Sequence, residues 1–131
     1  MSDPAFIEFK QSTGELTYCW RESRVEITSH AWAGNHAGKN NPAMQDVRCV
    51  GPLPQGKYFI EQPVTHPHLG PFAMHLIPDS SNQMFGRDAF YIHGPSMGNN
   101  RGQESMGCII ADRQSRENLW ATGARELRVV A

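Results

Sequence analysis

His93 and Cys108 stand fifteen positions apart, joined by a run of small and polar residues, and together they have the makings of an activated nucleophile. A thiol attacks carbonyl carbon as thiolate, and a free cysteine near neutral pH is mostly protonated. An imidazole within hydrogen-bond reach corrects this by taking the proton, or by holding the thiolate beside its own positive charge. Gly94 follows the histidine and Gly107 precedes the cysteine, so backbone N–H groups can approach a substrate closely, as an oxyanion site requires. Ser105 either donates a hydrogen bond to a substrate or braces the loop. Arg101, inside the connecting run, could meet a substrate carboxylate; a solvated loop arginine is the competing reading. Cysteine is also among the most buried residue types, so a small, inert core residue is the alternative for Cys108.

Two short strands would hold this pair. Phe90 to His93 is one apolar run and Cys108 opens the next with Ile109 and Ile110, so adjacent strands would set imidazole and sulfur side by side. The period-two alternation of Ala5 to Lys10, Leu16 to Trp20 and Val25 to Ile27 predicts an opening meander. From Gly34 to Pro54 glycine, asparagine and proline dominate, which predicts an ordered but irregular loop. Further strands are expected over Gly56 to Gln62, Met74 to Ile77 and Glu126 to Val130. One helix is expected, Arg113 to Thr122, with Asp112 as N-cap and Gly123 as terminator. Residues 1–131 thus read as a single, mainly β domain of sandwich or barrel type with one α-helix after the cysteine.

Composition narrows the function classes. A 39% hydrophobic and 19% charged chain of 131 residues has enough material for a core without staples. The net charge of -1 supplies no field for nucleic acid or an anionic membrane. No run approaches the roughly 18–20 apolar residues that span a bilayer, so membrane insertion is not expected. Met1-Ser2-Asp3-Pro4 lacks a basic segment followed by an apolar core, so no secretory signal peptide is expected, and work outside the cytoplasm would need another carrier. Cys19 and Cys49 either pair in an oxidising compartment or stay as buried thiols.

Other residues invite competing readings. His66, His68 and His75, with Cys49, would make a poor metal set, because Pro67 separates the first two and no carboxylate stands at helical spacing. They read as surface-loop histidines, and neither metal nor cofactor is expected. Trp32, at the edge of the irregular loop, is the best candidate for stacking on a glycan; Trp20 and Trp120 read as core. Asn40 and Asn41, before Pro42, would shape the loop through side-chain to backbone bonds.

The order of these motifs resembles a known family. His93-Gly94, a loop, then Ser105-Met106-Gly107-Cys108-Ile109 resembles the signature of the L,D-transpeptidase catalytic domain, also called YkuD-like. Pro54-Gln55-Gly56-Lys57-Tyr58, within the segment from Val50 to Ile60, resembles that domain's strand entry. Gly34 to Pro42 leading into Val50-Gly51-Pro52 resembles a compact branch containing type VI secretion L,D-transpeptidase effectors. The resemblance covers about residues 30 to 112. Two positions depart from it: Met106 stands where the wider family usually has histidine, and Ile109 and Ile110 stand where a polar or basic residue is common, leaving Arg113 as the nearest basic candidate.

The resemblance implies a mechanism. Cys108 attacks the carbonyl of the third residue of a peptidoglycan stem peptide and expels the terminal D-alanine, with His93 as base and then acid. The Gly94 carbonyl orients the ring, and the N–H groups of Gly107 and Cys108 face the oxyanion. Ser105, Arg101, Trp32 and Arg113 are the candidate substrate contacts. Water as acceptor gives L,D-carboxypeptidase activity; an amine gives exchange or cross-linking. The compact branch further implies delivery to a rival's periplasm by a secretion machine and a periplasmic immunity partner. The non-enzymatic alternative is a small β-sandwich that binds cell wall, with Cys108 merely buried.

Overall fold

The computed structural model describes residues 4–95 and 105–131. Arg101 lies outside them. Among the described residues ten strands are present: β1 (Phe6–Lys10), β2 (Leu16–Trp20), β3 (Ser23–Thr28), β4 (Trp32–Ala33), β5 (Gly56–Ile60), β6 (Val64–His66), β7 (Gly70–Pro78), β8 (Phe90–His93), β9 (Ile109–Ile110) and β10 (Glu126–Val130). The one α-helix, α1, runs Arg113–Ala121. The expected strands all form, β7 being longer than its apolar run suggests. The short β4 and β6 carry too few residues to show a period. Between β4 and β5 the chain makes two 3-10 turns, His36–Gly38 and Pro42–Met44, in an otherwise irregular loop. Asn40 Oδ1 accepts from the Ala33 N–H at 3.1 Å and Asn41 Oδ1 from the Ala43 N–H at 3.1 Å, the side-chain to backbone bonds their types suggest.

The strands form one sheet in the order β3-β2-β1-β10-β5-β7-β8-β9-β4, with β6 added on β7. Its two edges, β3 and β4, are joined by residues 29–31 alone. Eight strand spacings laid flat would separate those edges by roughly 38 Å. Four Cα steps from Thr28 to Trp32 reach at most about 15 Å. The sheet therefore curls until its edges approach, although no ladder between them is recorded among the described residues. Ile7, Phe9, Leu16, Ala33, Tyr58, Ile60, Met74, Leu76, Ile92, Ile109 and Leu127 all enter one core cluster, and Leu119 brings α1 onto it.

One packing expectation is corrected. Trp20 is 41% exposed, because it ends β2 beside the outer strand β3, and Arg21 lies 4.7 Å from its ring. Val25, in the edge strand β3, is 58% exposed. Trp120 does pack against the core, half-buried, with Arg125 stacked 3.2 Å above its ring.

Helix α1 starts and stops where its sequence dictates. Asp112 Oδ1 accepts from the Ser115 N–H at 2.7 Å, satisfying one of the donors that the first turn leaves unpaired. Thr122 is the C-cap and Gly123, at φ +82°, turns the chain away. The Ser115 backbone bond is the main cause that holds the Asp112 carboxyl below its ordinary range. A depressed folded pKa means the cap stabilises above the carboxyl's unfolded pKa and is lost as pH falls through the folded one. We predict that Asp112→Ala costs about 1 kcal/mol near neutrality, and that the difference from the parent narrows as pH falls below about 4. Urea denaturation at pH 7 and at pH 3 checks both halves.

Candidate active site

Strands β8 and β9 run parallel, with Ile92 opposite Ile109 and His93 opposite Ile110. Extending that register by one residue sets Cys108 across from Tyr91, one strand over and two residues back from His93. By strand spacing and rise, the two Cα atoms are about 8 Å apart. Ile92 and Ile109 turn into the core, and by alternation His93 and Cys108 stand on the other face of their strands, where Cys108 still packs in part against the core cluster.

His93 is buried, 6% exposed, and its Nδ1 lies 2.9 Å from the Gly94 carbonyl. That contact favours the tautomer with hydrogen on Nδ1 and leaves Nε2 as the basic nitrogen. A side chain at Gly94 would collide with the guanidinium of Arg116, 2.6 Å from where a Cβ would stand. Arg116 is itself 5% exposed, and its Nη1 donates to the carbonyls of Pro71 and Phe72 at 2.9 and 2.8 Å while Nε donates to Ala111 at 3.0 Å. The helix thus buttresses the backbone behind the imidazole.

The Cys108 sulfur is half-buried. It accepts from the Tyr91 N–H at 3.3 Å and approaches the Ala89 carbonyl at 3.9 Å. Neither of these contacts is to His93. Burial is the main cause that pushes the thiol up to about 11, against smaller opposing effects of the Tyr91 N–H and the Arg87 guanidinium. The sulfur is nevertheless not sealed: with Arg48, Cys49, Arg87, Asp88, Ala89, Phe90 and Met106 it lines a groove of about 250 Å³. Cys49 is exposed and Cys19 is buried in β2; both are free thiols, so they form no disulfide with each other.

Ser105 lies at the centre of the loop's bonding. It is fully buried; its Oγ accepts from Gly34 N at 2.9 Å and Gly107 N at 3.1 Å and donates to the Cys108 carbonyl at 2.6 Å. Its hydrogen-bonding capacity is filled, so it braces the loop rather than touching a substrate. The Gly107 N–H is accordingly directed at Ser105, not at an oxyanion. Gly107 has φ +122°, and a Cβ there would stand 2.6 Å from Arg87 Nη2 and 2.7 Å from the Phe90 ring, so glycine is required by packing.

Two other candidates lie away from the sulfur groove. Trp32, in β4, pairs with Ile110, and Lys39 Nζ lies over one face of its ring at 4.8 Å. Its Nε1 is buried with no hydrogen-bond partner among the described residues. Arg113 pairs with Glu117 at 2.7 Å and stacks on Phe72 at 4.9 Å, on a separate groove with Gln62, Val64 and Trp120. His66 and His75 are not loop residues but strand residues packed around Tyr91, 5.1 and 4.8 Å from its ring. His75 Nδ1 meets Glu61 at 2.8 Å, and among the described residues no group of three ligating side chains could hold a metal.

Sequence reading missed Arg87 and Asn35. Arg87 is 5% exposed and has no carboxylate partner; it donates to the carbonyls of Gln45, Gly51, Pro52 and Met106, at 2.5, 2.9, 2.8 and 3.2 Å. Asn35 Nδ2 donates to Cys49 O at 2.8 Å and Ser105 O at 2.6 Å. Together they sew the irregular loop to the segment carrying the sulfur. An arginine among turn residues has no signature that separates it from a solvated one.

Bd1075 of Bdellovibrio bacteriovorus superposes with a TM-score of 0.64 at 17% identity, over 97% of this chain and 48% of that one. The helical cell shape determining protein Pgp2 of Campylobacter jejuni gives 0.61 at 16% identity, over 99% and 48%. L,D-transpeptidase 1 of Mycobacterium tuberculosis gives 0.56 at 14% identity, over 98% and 63%. The chain spans about half the length of the first two. No curated protein matches the sequence. The fold is that of the L,D-transpeptidases. Residues 27–131 match the Tlde1 domain, and the chain belongs to that family of type VI secretion L,D-transpeptidase effectors.

The two accessible sulfurs should be distinguishable by alkylation. The raised Cys108 pKa makes its thiolate scarce at pH 7, so iodoacetamide should label exposed Cys49 first. Labelling of Cys108 should rise steeply with pH towards about 11. Mass mapping of labelled peptides across a pH series measures both; fast neutral-pH labelling of Cys108 would contradict the buried thiol described above.

Proposed function

We propose that the chain is one catalytic unit in which Cys108 attacks a peptidoglycan tetrapeptide stem, at the carbonyl preceding its terminal D-alanine. The observation that carries this reading is a sulfur lining an open groove, one strand away from an imidazole fixed by its neighbour's carbonyl. A thiol raised to about 11 does not wait as thiolate. Instead, rotation of the sulfur from the Tyr91 N–H towards His93 lets the imidazole take the proton as the C–S bond forms. The Cys108 N–H, which sits against its own sulfur, is the donor we assign to the oxyanion, since Gly107 is held by Ser105. Imidazolium then protonates the departing D-alanine amine, leaving a thioester. Water releases a tripeptide; an amine of a D-amino acid or a second stem gives exchange or cross-linking.

As a member of its family, the chain is further proposed to act in a target cell's periplasm after delivery by a type VI machine, whose loading component is one partner. A periplasmic immunity protein of the producing cell is another. The immobilised chain, incubated with that periplasm, should retain one specific binder; retention of none removes the immunity partner from the proposal.

The central test uses disaccharide tetrapeptide and mass spectrometry. The parent should remove the terminal D-alanine, Cys108→Ala should not, and His93→Ala should be slowed by roughly 10²–10⁴-fold. Addition of a D-amino acid should produce the exchanged peptide if amines compete with water. An unchanged substrate with folded parent protein would favour the cell-wall-binding alternative, to which the sulfur's bond with Tyr91 and its raised pKa lend support.

A further inference from the structure

All three cysteines are free thiols, and two of them share one space. Cys49 and Cys108 both line the groove of about 250 Å³, and the Arg87 guanidinium on its wall lies within electrostatic reach of both sulfurs. Cys19 is buried in β2, and its charged neighbours, Arg24, Glu8 and Arg128, do not border that groove.

The backbone that carries Cys49 is stitched to the segment that ends in Cys108. Asn35 Nδ2 donates to the carbonyls of Cys49 and Ser105 at 2.8 and 2.6 Å, so a single amide spans the two segments. Arg87 Nη2 does likewise for Gly51 and Met106 at 2.9 and 3.2 Å, and the Leu53 N–H donates to the Gly107 carbonyl at 3.0 Å. Cys108 stands one Cα step, about 3.8 Å, beyond Gly107. A disulfide needs Cα atoms about 4.4–6.8 Å apart. The turn holding Cys49 is exposed and supplies the approach, while buried isoleucines keep β9 in place. Cys49 has φ +63° in that turn, which the Gly51 N–H closes on the Val47 carbonyl at 3.0 Å. Glycine and asparagine are the usual occupants of such a left-handed setting, and a thiol held there at local cost points to a use for it.

We propose that Cys49 and Cys108 form a reversible disulfide in oxidising surroundings, which closes the groove and withdraws the Cys108 sulfur from reaction. The oxidant is a small-molecule disulfide. Exposed Cys49, as thiolate, attacks one of its sulfurs and expels the first small thiolate. Cys108 then attacks the Cys49 sulfur of that mixed disulfide and expels the second, which takes up the Cys108 proton. Two protein thiols are oxidised as one small disulfide is reduced to two thiols. The second step is intramolecular, so the scarcity of Cys108 thiolate slows it without preventing it. The bond stands on the geometry alone, whereas its effect on activity rests on Cys108 being the proposed nucleophile. Where thiols are kept reduced the groove stays open; in an oxidising compartment activity lasts until the pair closes.

Mass spectrometry on the full chain tests it. After glutathione disulfide at pH 7, the parent should be lighter by two hydrogen atoms and should yield, on non-reducing digestion, a peptide joining Cys49 to Cys108. Cys108→Ala should instead stop with glutathione on Cys49, the first half of the exchange. Cys49→Ser should keep a free Cys108 thiol. In the tetrapeptide assay the treated parent should lose activity and regain it with dithiothreitol, while treated Cys49→Ser should match its own untreated rate. Unreacted thiols, glutathione left on Cys49 in the parent, a bond to Cys19, or a bond only between copies would overturn the pairing. A Cys49–Cys108 bond with activity kept would overturn the lock. An untreated parent that is inactive would overturn the nucleophile instead, a separable result because the linkage is read without turnover.

Discussion

The parallel pairing of β8 with β9 governs the geometry of the candidate centre. Each of these strands is short, and a shift of one residue would carry the sulfur or the imidazole to the core side. What opposes the shift is burial: Ile92, Ile109 and Ile110 are all fully buried, so a shifted pair would have to repack all three. The hydrophobic effect acting on these isoleucines thereby helps to set the spacing of His93 and Cys108.

Around that pairing the chain uses buried polar bonds as fasteners. Ser105 ties the turn before Cys108 to Gly34, Asn35 ties it to Cys49, and Arg87 ties it to the carbonyls of residues 45, 51 and 52. Irregular backbone has no ladder to satisfy its carbonyls, and unpaired buried carbonyls are costly. A guanidinium with five donors can satisfy several at once without a counter-charge. The cost is desolvation, visible as a lowered Arg87 pKa whose main cause is burial. Gly107 follows from the same arrangement, since its missing side chain is what lets Arg87 and Phe90 close over the turn.

The thiol has a dual character. The enclosure that places Cys108 against the strand pair also disfavours its ionised form, so its resting state is protonated. A sulfur of high pKa is the stronger nucleophile once deprotonated, which suits a base that acts during attack rather than before it. The orientation of His93 by Gly94, backed by Arg116 from the helix, is the counterpart on the side of the proposed base.

Much of this was legible in the chain itself. Period-two alternation located β1, β2 and β3, an apolar run marked β8, and Asp112 with Gly123 bounded α1, because those signals depend on local backbone chemistry. The His93-Gly94 and Ser105-x-Gly107-Cys108 motifs marked the candidate centre, since residue type alone limits what can ionise or attack. Contacts between distant segments were not legible. Ser105 read as either a substrate contact or a loop brace and Trp32 as a stacking face until their neighbours were known, Trp20 read as core until β3 proved to be an edge, and Arg87 gave no local signal. Exposure and hydrogen-bond partners belong to the folded arrangement, where the curl of the sheet brings residues 34–52 against 105–108. No local pattern encodes that encounter, because it is settled by burial summed over the whole core.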